Sequence, residues 1–462
     1  MNQTAFKWII IAPTIIIFLY AFSSSYLLQN IDNLNYVVAI LVDEAEDPNM
    51  LDVTFEFIDV SSFSSDSSTK DSTPILDTIT ASSIDNAINI MNSYAGKGID
   101  LSNCEVAIFS EDVAKKGIFN QISDLINNSQ IRPSLNIIVT TGNAKYYVEN
   151  STSPLEKILT KYYEIFPNSS KYTGYTSDIT IGKFYEYLKN PNIGNTAILG
   201  GANEASIKNK EKSQSSEKSS SSNSGYGSSN SGSDQSSGDN SGNQNSNSSE
   251  QNEPKSAEEN EDEPPASSIS SENMSAGDSP IKGQRGNENL GLAVFNGDSY
   301  IGKLTAGETL CHSIITNETD SFVISIPDPF GSDNLIALDI YKNSNCNIDI
   351  DITSDHPIIN INISLSGRLS SVIKDLNYAD SKTIDTIESA TEEYLKKQIL
   401  DYLNKTSKEY KVDIDGFYYK LKQKFLTIQD LNNYDWENKF QNAEFNLSLD
   451  ANILSSLLVQ NR

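Results

Sequence analysis

Residues 101–118 read LSNCEVAIFSEDVAKKGI and decide the fold of the first part of the chain. Within this stretch, residues 106–109 are an apolar run that is typical of a buried strand. Ser110 follows as a helix N-cap, and Glu111 and Asp112 occupy the first turn, where the helix dipole favours acidic side chains. The stretch therefore predicts a strand that leads directly into a helix.

The neighbouring segments continue this alternation. Residues 36–42 (YVVAILV) predict a buried strand, and residues 53–57 (VTFEF) alternate apolar with polar side chains, so the two predict a hairpin. Ser83 precedes an apolar stripe with helical spacing, and residues 135–139 predict another strand. Strand, helix, strand, helix, strand is an α/β pattern.

An aromatic-rich segment follows at residues 146–188 and predicts helices joined by loops. An aromatic cluster of this kind can form a surface on which sugars or other ligands stack. The same residues also fit the core and the half-exposed faces of helices, where tyrosine is common, and this is the interpretation we favour.

Residues 206–288 differ from the rest in composition, because Ser, Asn, Gly and Glu dominate and apolar side chains almost disappear. Such a segment cannot bury enough surface to offset chain entropy, so it predicts a disordered linker. A flexible coil of this length has a mean span of roughly 50 Å. We expect it to join two separately folding regions, residues 31–205 and residues 289–462.

The region after residue 288 combines strands with long helices. Asn296-Gly297-Asp298 predicts a tight turn between two short strands. Further strands are predicted at residues 322–326, 335–341, 348–352, 359–365 and 445–451, and helices at a long segment capped by Thr383 and at residues 418–425. Polar residues alternate along several of these strands, which predicts an antiparallel sheet with one wet face and an α+β region.

The N-terminus carries one basic residue, Lys7, before the apolar run of residues 8–22, which can be extended to residue 28. A run of about 20 apolar residues suffices to span a bilayer. Residues 1–30 therefore predict a signal anchor, with everything after residue 30 outside the cytoplasm, while a cleaved secretory signal is the alternative. The whole chain is thus expected to be a multidomain α+β and α/β protein with mixed sheets and packed helices, an N-terminal membrane helix and a long linker.

Charge and motifs narrow the function classes. The formal net charge of −28 disfavours nucleic acid as a partner, because nucleic-acid binding depends on Lys and Arg. The cysteines Cys104, Cys311 and Cys346 form no CxxC pair and are expected to be buried free thiols, although Cys311 and Cys346 could form a disulfide in an oxidising compartment. Hydrolase, phosphate-loop and dinucleotide motifs are missing from the sequence.

Four further residues are functional candidates by their chemistry. The only histidines, His312 and His356, fit ordinary core or loop positions better than catalysis. Asp413 and Asp415 flank a turn at Gly416, and we interpret them as stabilising that turn, because the run of oxygen ligands that calcium needs is missing. The sequence thus predicts no catalytic, cofactor or metal site and no enzyme.

Several segments resemble the Ger(x)C spore germination proteins, the C subunits of germinant receptors. The similar segments lie in both regions and in the family's order: residues 31–43, 101–118, 291–302, 307–309, 410–417, and Trp436 with Phe440. Residues 101–118 match best, although Ser102 and Asn103 stand where the family usually has Gly and His. The segment 412–416 (VDIDG) resembles the family's Asp-Ile-x-Gly motif.

The resemblance implies a protein of the spore's inner membrane that faces outward. It also implies association with a transmembrane A subunit and a transporter-like B subunit, without catalysis. Family members usually carry an acylated cysteine directly after the signal, but no cysteine precedes Cys104, so the usual lipidation is not expected. The alternatives are an extracytoplasmic ligand- or cell-wall-binding protein without receptor partners, and a hydrolase whose acids no motif reveals.

Overall fold

The computed structural model describes residues 34–58, 75–151, 159–208, 273–281, 283, 285–331, 334–370 and 380–454. In these ranges the chain forms two mixed sheets with helices packed on them, as the sequence predicted. The predicted membrane helix within residues 1–30 lies outside the described ranges. None of the helices that the structure describes is long and apolar enough to cross a membrane.

The first sheet has nine strands within the described residues, eight of them in the order β3-β2-β1-β5-β6-β7-β8-β9, and β4 pairs with β1. The strands are β1 (Leu34–Glu44), β2 (Leu51–Phe57), β3 (Ile75–Ala81), β4 (Gly98–Asp100), β5 (Val106–Ser110), β6 (Asn136–Thr140), β7 (Asn195–Ala202), β8 (Asn287–Asn296) and β9 (Ser299–Leu304). β1, β5, β6 and β7 are mutually parallel, whereas β2, β3, β8 and β9 are antiparallel to their neighbours. The predicted hairpin of β1 with β2 is confirmed.

Helices cover both faces of this sheet. The helices of this region are α1 (Ile84–Tyr94), α2 (Glu111–Lys116), α3 (Phe119–Asn127), α4 (Ala144–Glu149), α5 (Leu159–Ile165), α6 (Ser170–Thr173) and α7 (Ile181–Leu188), of which α6 contacts strand Ser321–Pro327 of the second sheet. The predicted N-caps are confirmed: the side chain of Ser83 accepts from the Asn86 amide and that of Ser110 from the Val113 amide. α1, α2, α3 and α7 bury apolar residues on one face, and α4 and α5 on the other.

The second sheet has the strand order β10-β11-β13-β12, with β14 on the far side of β13. Its strands are β10 (Ser321–Pro327), β11 (Leu335–Lys342), β12 (Asn347–Asp351), β13 (Ile358–Leu369) and β14 (Glu444–Leu454). The sheet is not wholly antiparallel as predicted, because β14 runs parallel to β13 after a long helical excursion. Alternating side chains reveal which face of a strand is buried but not the direction of its neighbour.

The helices of this region are α8 (Ala306–Thr316), α9 (Ser381–Asn404), α10 (Phe417–Lys422), α11 (Ile428–Asn433) and α12 (Trp436–Phe440). The long helix α9 begins two residues before the predicted cap Thr383, and the side chain of Asp380 caps it instead. A π-helical turn, Lys405–Tyr410, follows α9 directly. There the hydroxyls of Thr406 and Ser407 donate to the carbonyl of Leu403, in competition with the regular helical hydrogen bonds.

Strand β8 joins the two regions that the sequence analysis expected to fold separately. Its side chains alternate between two cores: Leu292 and Val294 lie in the core of the second region, and Ala293 and Phe295 in a core of the first sheet. The hairpin β8–β9, although it follows the linker, therefore completes the first sheet. One strand thus contributes side chains to both cores.

The predicted linker boundaries also need correction. Residues 273–281 lie within the proposed linker of residues 206–288, yet the side chain of Ala276 is buried and its amide donates to the Leu290 carbonyl. At the other end, the Ser206 hydroxyl donates to the carbonyl of Ile281 at 2.7 Å. Both ends of the polar segment are thus packed into the protein, and its central part, residues 209–272, lies outside the described residues.

Candidate functional site at the junction of the two sheets

The loop after the π-helical turn carries Asp413, one of the acids that the sequence singled out. Lys411 ends the turn with φ of 57°, in the left-handed region. The carboxylate of Asp413 then accepts hydrogen bonds from the backbone amides of Phe417 at 3.1 Å and Tyr418 at 2.7 Å, and from the indole N–H of Trp436 at 3.2 Å. Asp413 therefore satisfies the first turn of α10 and fixes α12 beside it, which confirms its predicted turn-stabilising role.

Burial of Asp413 has a second consequence. Removing the carboxyl from water raises its pKa to about 7, although the three N–H donors partly oppose this shift. A cavity of about 10 Å³ beside Asp413 and Trp436 has room for about one water molecule. The space next to this acid is thus too small for a substrate.

The second acid of the loop, Asp415, joins two helices. Its Oδ1 accepts from the Tyr402 hydroxyl of α9 at 2.7 Å and lies 2.9 Å from Nδ1 of His312 on α8. The same His312 nitrogen lies 3.1 Å from the Tyr402 hydroxyl, so the three groups form one cluster. Oδ2 of Asp415 has no hydrogen-bond partner among the described residues. Asp415 therefore links α8, α9 and the loop, a role that its position beside a turn did not predict.

A third polar group connects this cluster to the first sheet. Glu318, just after α8, forms an ion pair with Lys183 of α7, with Oε1 and Nζ 2.8 Å apart, and also accepts from the Ser177 hydroxyl. Burial alone would raise the pKa of Glu318, but the positive field of His312 and Lys183 outweighs it and lowers the pKa. The negative charge of Glu318 is thus held between the two regions.

The backbone completes the junction. The amide of Gly194, directly before β7, donates to the carbonyl of Asp413 at 2.9 Å. A Cβ at Gly194 would lie 2.5 Å from Cγ2 of Val412 and 2.9 Å from Cγ2 of Ile414. Only glycine lets these two backbones approach so closely.

This constellation holds packed elements of the fold together. The side chains of His312 and Asp415 are 3% and 0% exposed, and Tyr402 is 1% exposed. A histidine beside a carboxylate can act as a general base, but only if a reacting group can reach it. Here the surrounding core leaves no access for a reacting group. The cluster therefore links α8, α9 and the loop through buried hydrogen bonds.

The remaining candidates lie elsewhere. His356 is half-exposed, with Nε2 3.5 Å from a carboxylate oxygen of Glu444. Cys104, Cys311 and Cys346 are buried free thiols, and burial raises the pKa of Cys104 and Cys346 to about 12. Among the described residues no group of three or more His, Cys, Asp or Glu could hold a metal ion.

A second buried carboxyl, Glu56 on β2, was missed by sequence reasoning. Glu56 is fully buried and accepts from the Tyr163 hydroxyl of α5 at 3.1 Å. Its Oε1 has no partner within the described part of the chain, and burial raises its pKa to about 7. The only signal available was the density of tyrosines in residues 146–188.

Of the eight tyrosines in residues 146–188, three are buried and three are half-buried, which fits the core and half-exposed helix faces that the sequence analysis favoured. The hydroxyl of Tyr147 donates to Oδ1 of Asn289 at 2.8 Å, and Nδ2 of Asn289 donates to the Tyr162 hydroxyl at 3.0 Å. These contacts tie α4 and α5 to β8. Tyr172, by contrast, is 61% exposed.

Two family models match the chain, in the order in which the domains occur. The model described as the spore germination protein N-terminal domain matches residues 28–200, and that described as spore germination B3/GerAC-like, C-terminal, matches residues 290–456. None of the curated proteins matches the chain at a significant level. The crystal structure of the GerBC protein superposes with a TM-score of 0.49 at 13% identity, covering 90% of this chain and 96% of that one.

The two matched ranges together account for most of the chain and leave out mainly the polar segment between β7 and β8. They include the strand-to-helix stretch of residues 101–118 and the junction loop with Asp413 and Asp415. On this evidence the chain belongs to the Ger(x)C family of spore germination proteins.

Proposed function

We propose that this chain is the non-catalytic C subunit of a nutrient germinant receptor and supports spore germination by assembling with the membrane A and B subunits. Family membership is the observation that carries the proposal. The buried state of the His312, Tyr402 and Asp415 cluster supports a role without catalysis, since these groups cannot meet a substrate.

The proposal includes a location on the outer face of the spore's inner membrane. The apolar run of residues 8–28 would hold the chain there, because about 20 apolar residues suffice to span a bilayer. Membrane fractions extracted with alkaline carbonate should retain the chain with its N-terminus intact. A soluble mature protein that begins near Ser24 would contradict the anchor but not the receptor assembly.

Receptor assembly is tested by deleting the gene and by affinity purification from spores. Spores without the chain should lose the response to nutrients while still germinating with a receptor-independent trigger, and the tagged chain should retain A and B subunits after gentle solubilisation. Complementation with the surface variant Asp401→Ala, which lies on the exposed side of α9, should restore germination. A tagged chain that retains cell-wall glycans and no A or B subunit would favour an extracytoplasmic binding protein instead.

A further inference from the structure

The loop between α10 and α11 exposes two large aliphatic side chains. The side chain of Leu426 is fully exposed, and that of Ile428 is 73% exposed. Their neighbours are held in place: the Phe425 and Tyr434 rings pack with their centroids 5.5 Å apart, and the Thr427 side chain caps α11 through the Asp430 amide. The loop therefore presents the two aliphatic chains on a fixed base.

The loop sequence is basic, whereas the whole chain is acidic. Residues 417–429 contain Lys420, Lys422 and Lys424 and no acid, whereas the whole chain has 62 Asp and Glu against 34 Lys and Arg. Of the acids nearby, Asp349 of β12 pairs with Lys424, Nζ to Oδ1 at 2.6 Å, and Asp430 accepts from the Thr427 hydroxyl. Asp351 lies near Lys424, and Asp351 and Asp355 lie near Tyr434, at the base of the loop and not at its exposed side chains. Lys420 and Lys422 are exposed and form no ion pair with a described residue.

The start of α10, which leads into this loop, lies beside the amino edge of the first sheet. The Gly194 amide just before β7 binds the carbonyl of Asp413, whose side chain caps α10. The amino ends of parallel strands share one edge of a sheet, so β1 begins at Leu34 on the edge that receives this junction. Leu34 and the start of α10 thus lie on the same edge of the first sheet.

A convex apolar point flanked by lysines has the chemistry of a surface that dips into a bilayer. Aliphatic side chains enter the boundary between headgroups and acyl chains, and lysines near an anionic surface are attracted to its phosphates. A protein partner would instead have to offer a groove that fits both chains. A bilayer needs no matching groove, because its surface is the same in every direction within the membrane plane. The observations therefore favour a lipid surface.

We propose that residues 420–428, here called the 420–428 tip, contact an anionic lipid surface. In this contact Leu426 and Ile428 enter the acyl boundary, while Lys420 and Lys422 bind headgroup phosphates. The contact goes beyond receptor assembly and does not require it. The contact would attach the ectodomain to the membrane at a second point and so fix its orientation.

The test places an environment-sensitive fluorophore on the tip of the full chain. Leu426→Cys is labelled with a nitrobenzoxadiazole thiol reagent, since the three native cysteines are buried. Leu335→Cys serves as the matched control, because Leu335 is 59% exposed and lies at the opposite end of the second sheet from β12, which contacts the loop. Each protein is reconstituted in vesicles of phosphatidylcholine alone or with phosphatidylglycerol.

With phosphatidylglycerol, the label at position 426 should brighten, shift to the blue and be quenched by spin-labelled acyl chains. The label at position 335 should stay in water. Adding Lys420→Gln and Lys422→Gln should raise the phosphatidylglycerol fraction needed for half of the shift. Because the readout is local, vesicle binding through residues 1–33 alone cannot produce it.

Two results would overturn the proposal. One is a water-like spectrum at position 426 in every vesicle, including a chain that fails to bind vesicles at all. The other is a label that changes only when solubilised spore membrane proteins are added, which would assign the 420–428 tip to a protein partner. Either result leaves the proposed receptor assembly standing.

Discussion

Asp413 lies at the junction, and Glu56 lies under the tyrosine-rich helices. Both carboxyls are buried, and burial raises the pKa of each to about 7. Their surroundings differ. Asp413 accepts three N–H hydrogen bonds, whereas Glu56 accepts one bond from Tyr163 and has an oxygen without a partner in the described structure. The hydrogen bonds of Asp413 hold several backbone and side-chain groups in place and stabilise its region. The single hydrogen bond of Glu56 offsets less of the cost of burying its carboxyl.

This difference should be largest when the acids are removed. Asp413→Ala leaves three buried donors unpaired and should lower the free energy of unfolding by about 4 kcal/mol. Chemical denaturation followed by circular dichroism measures it. The exposed Asp401→Ala on α9 is the matched control and should change the value by less than about 0.5 kcal/mol. An equal effect of the two substitutions would remove Asp413 from its organising role.

Glu56 should reveal itself through pH. Its folded pKa of about 7 exceeds the ordinary 4.5, so the folded state binds the proton more tightly and stability falls as pH rises from 4.5 through 7. Glu56→Gln keeps the shape and removes the charge. Between pH 4 and pH 8, the free energy of unfolding of Glu56→Gln should rise by roughly 3 kcal/mol relative to that of the native chain.

Urea denaturation at the two pH values gives this difference. Glu204→Gln, at an exposed position, is the control and should leave the pH dependence unchanged. If Glu56→Gln and the native chain lose stability in parallel as pH rises, Glu56 is not the group that titrates.

Removing one phenol hydroxyl from each region should give the smallest effects. Tyr402→Phe takes a donor from Asp415 and should lower stability by about 1 kcal/mol at all pH values between 5 and 8. Tyr163→Phe takes the only described donor from Glu56, and since that donor lowers the pKa of Glu56, its loss should extend the fall in stability to higher pH, while the fall still begins near pH 4.5. Denaturation curves across pH distinguish the two, and a shift seen with Tyr402→Phe instead would reverse the comparison.

Local signals in the sequence predicted local structure well. The apolar run before Ser110, the cap itself and the Asn296-Gly297 turn all depend on adjacent residues, and each lies where it was expected. Pairing over long distances was not predictable. The parallel β13–β14 pair and the sheet that β8 joins are set by packing, about which strand periodicity is silent.

The same limit applies to the junction. Asp413 could be interpreted from its own turn, because its partners Phe417 and Tyr418 are close in sequence. His312 and Asp415 are separated by 103 positions, and their contact needs the complete fold. The burial of Glu56 likewise depends on α5, which a strand pattern alone cannot place over β2.

The position of the polar segment between β7 and β8 bears on how the chain could have been lengthened. These strands are adjacent and antiparallel, so the chain leaves and returns at neighbouring points, with Asn203 of the outgoing side bound to the carbonyl of Ser279 on the returning side. Topologically, residues 209–272 are an insertion in a hairpin. Doubling the length of such an insertion adds only about 0.6 kcal/mol of closure entropy. Changing the length of this segment should therefore cost little stability, and a single cut within it would leave two fragments paired along β7 and β8.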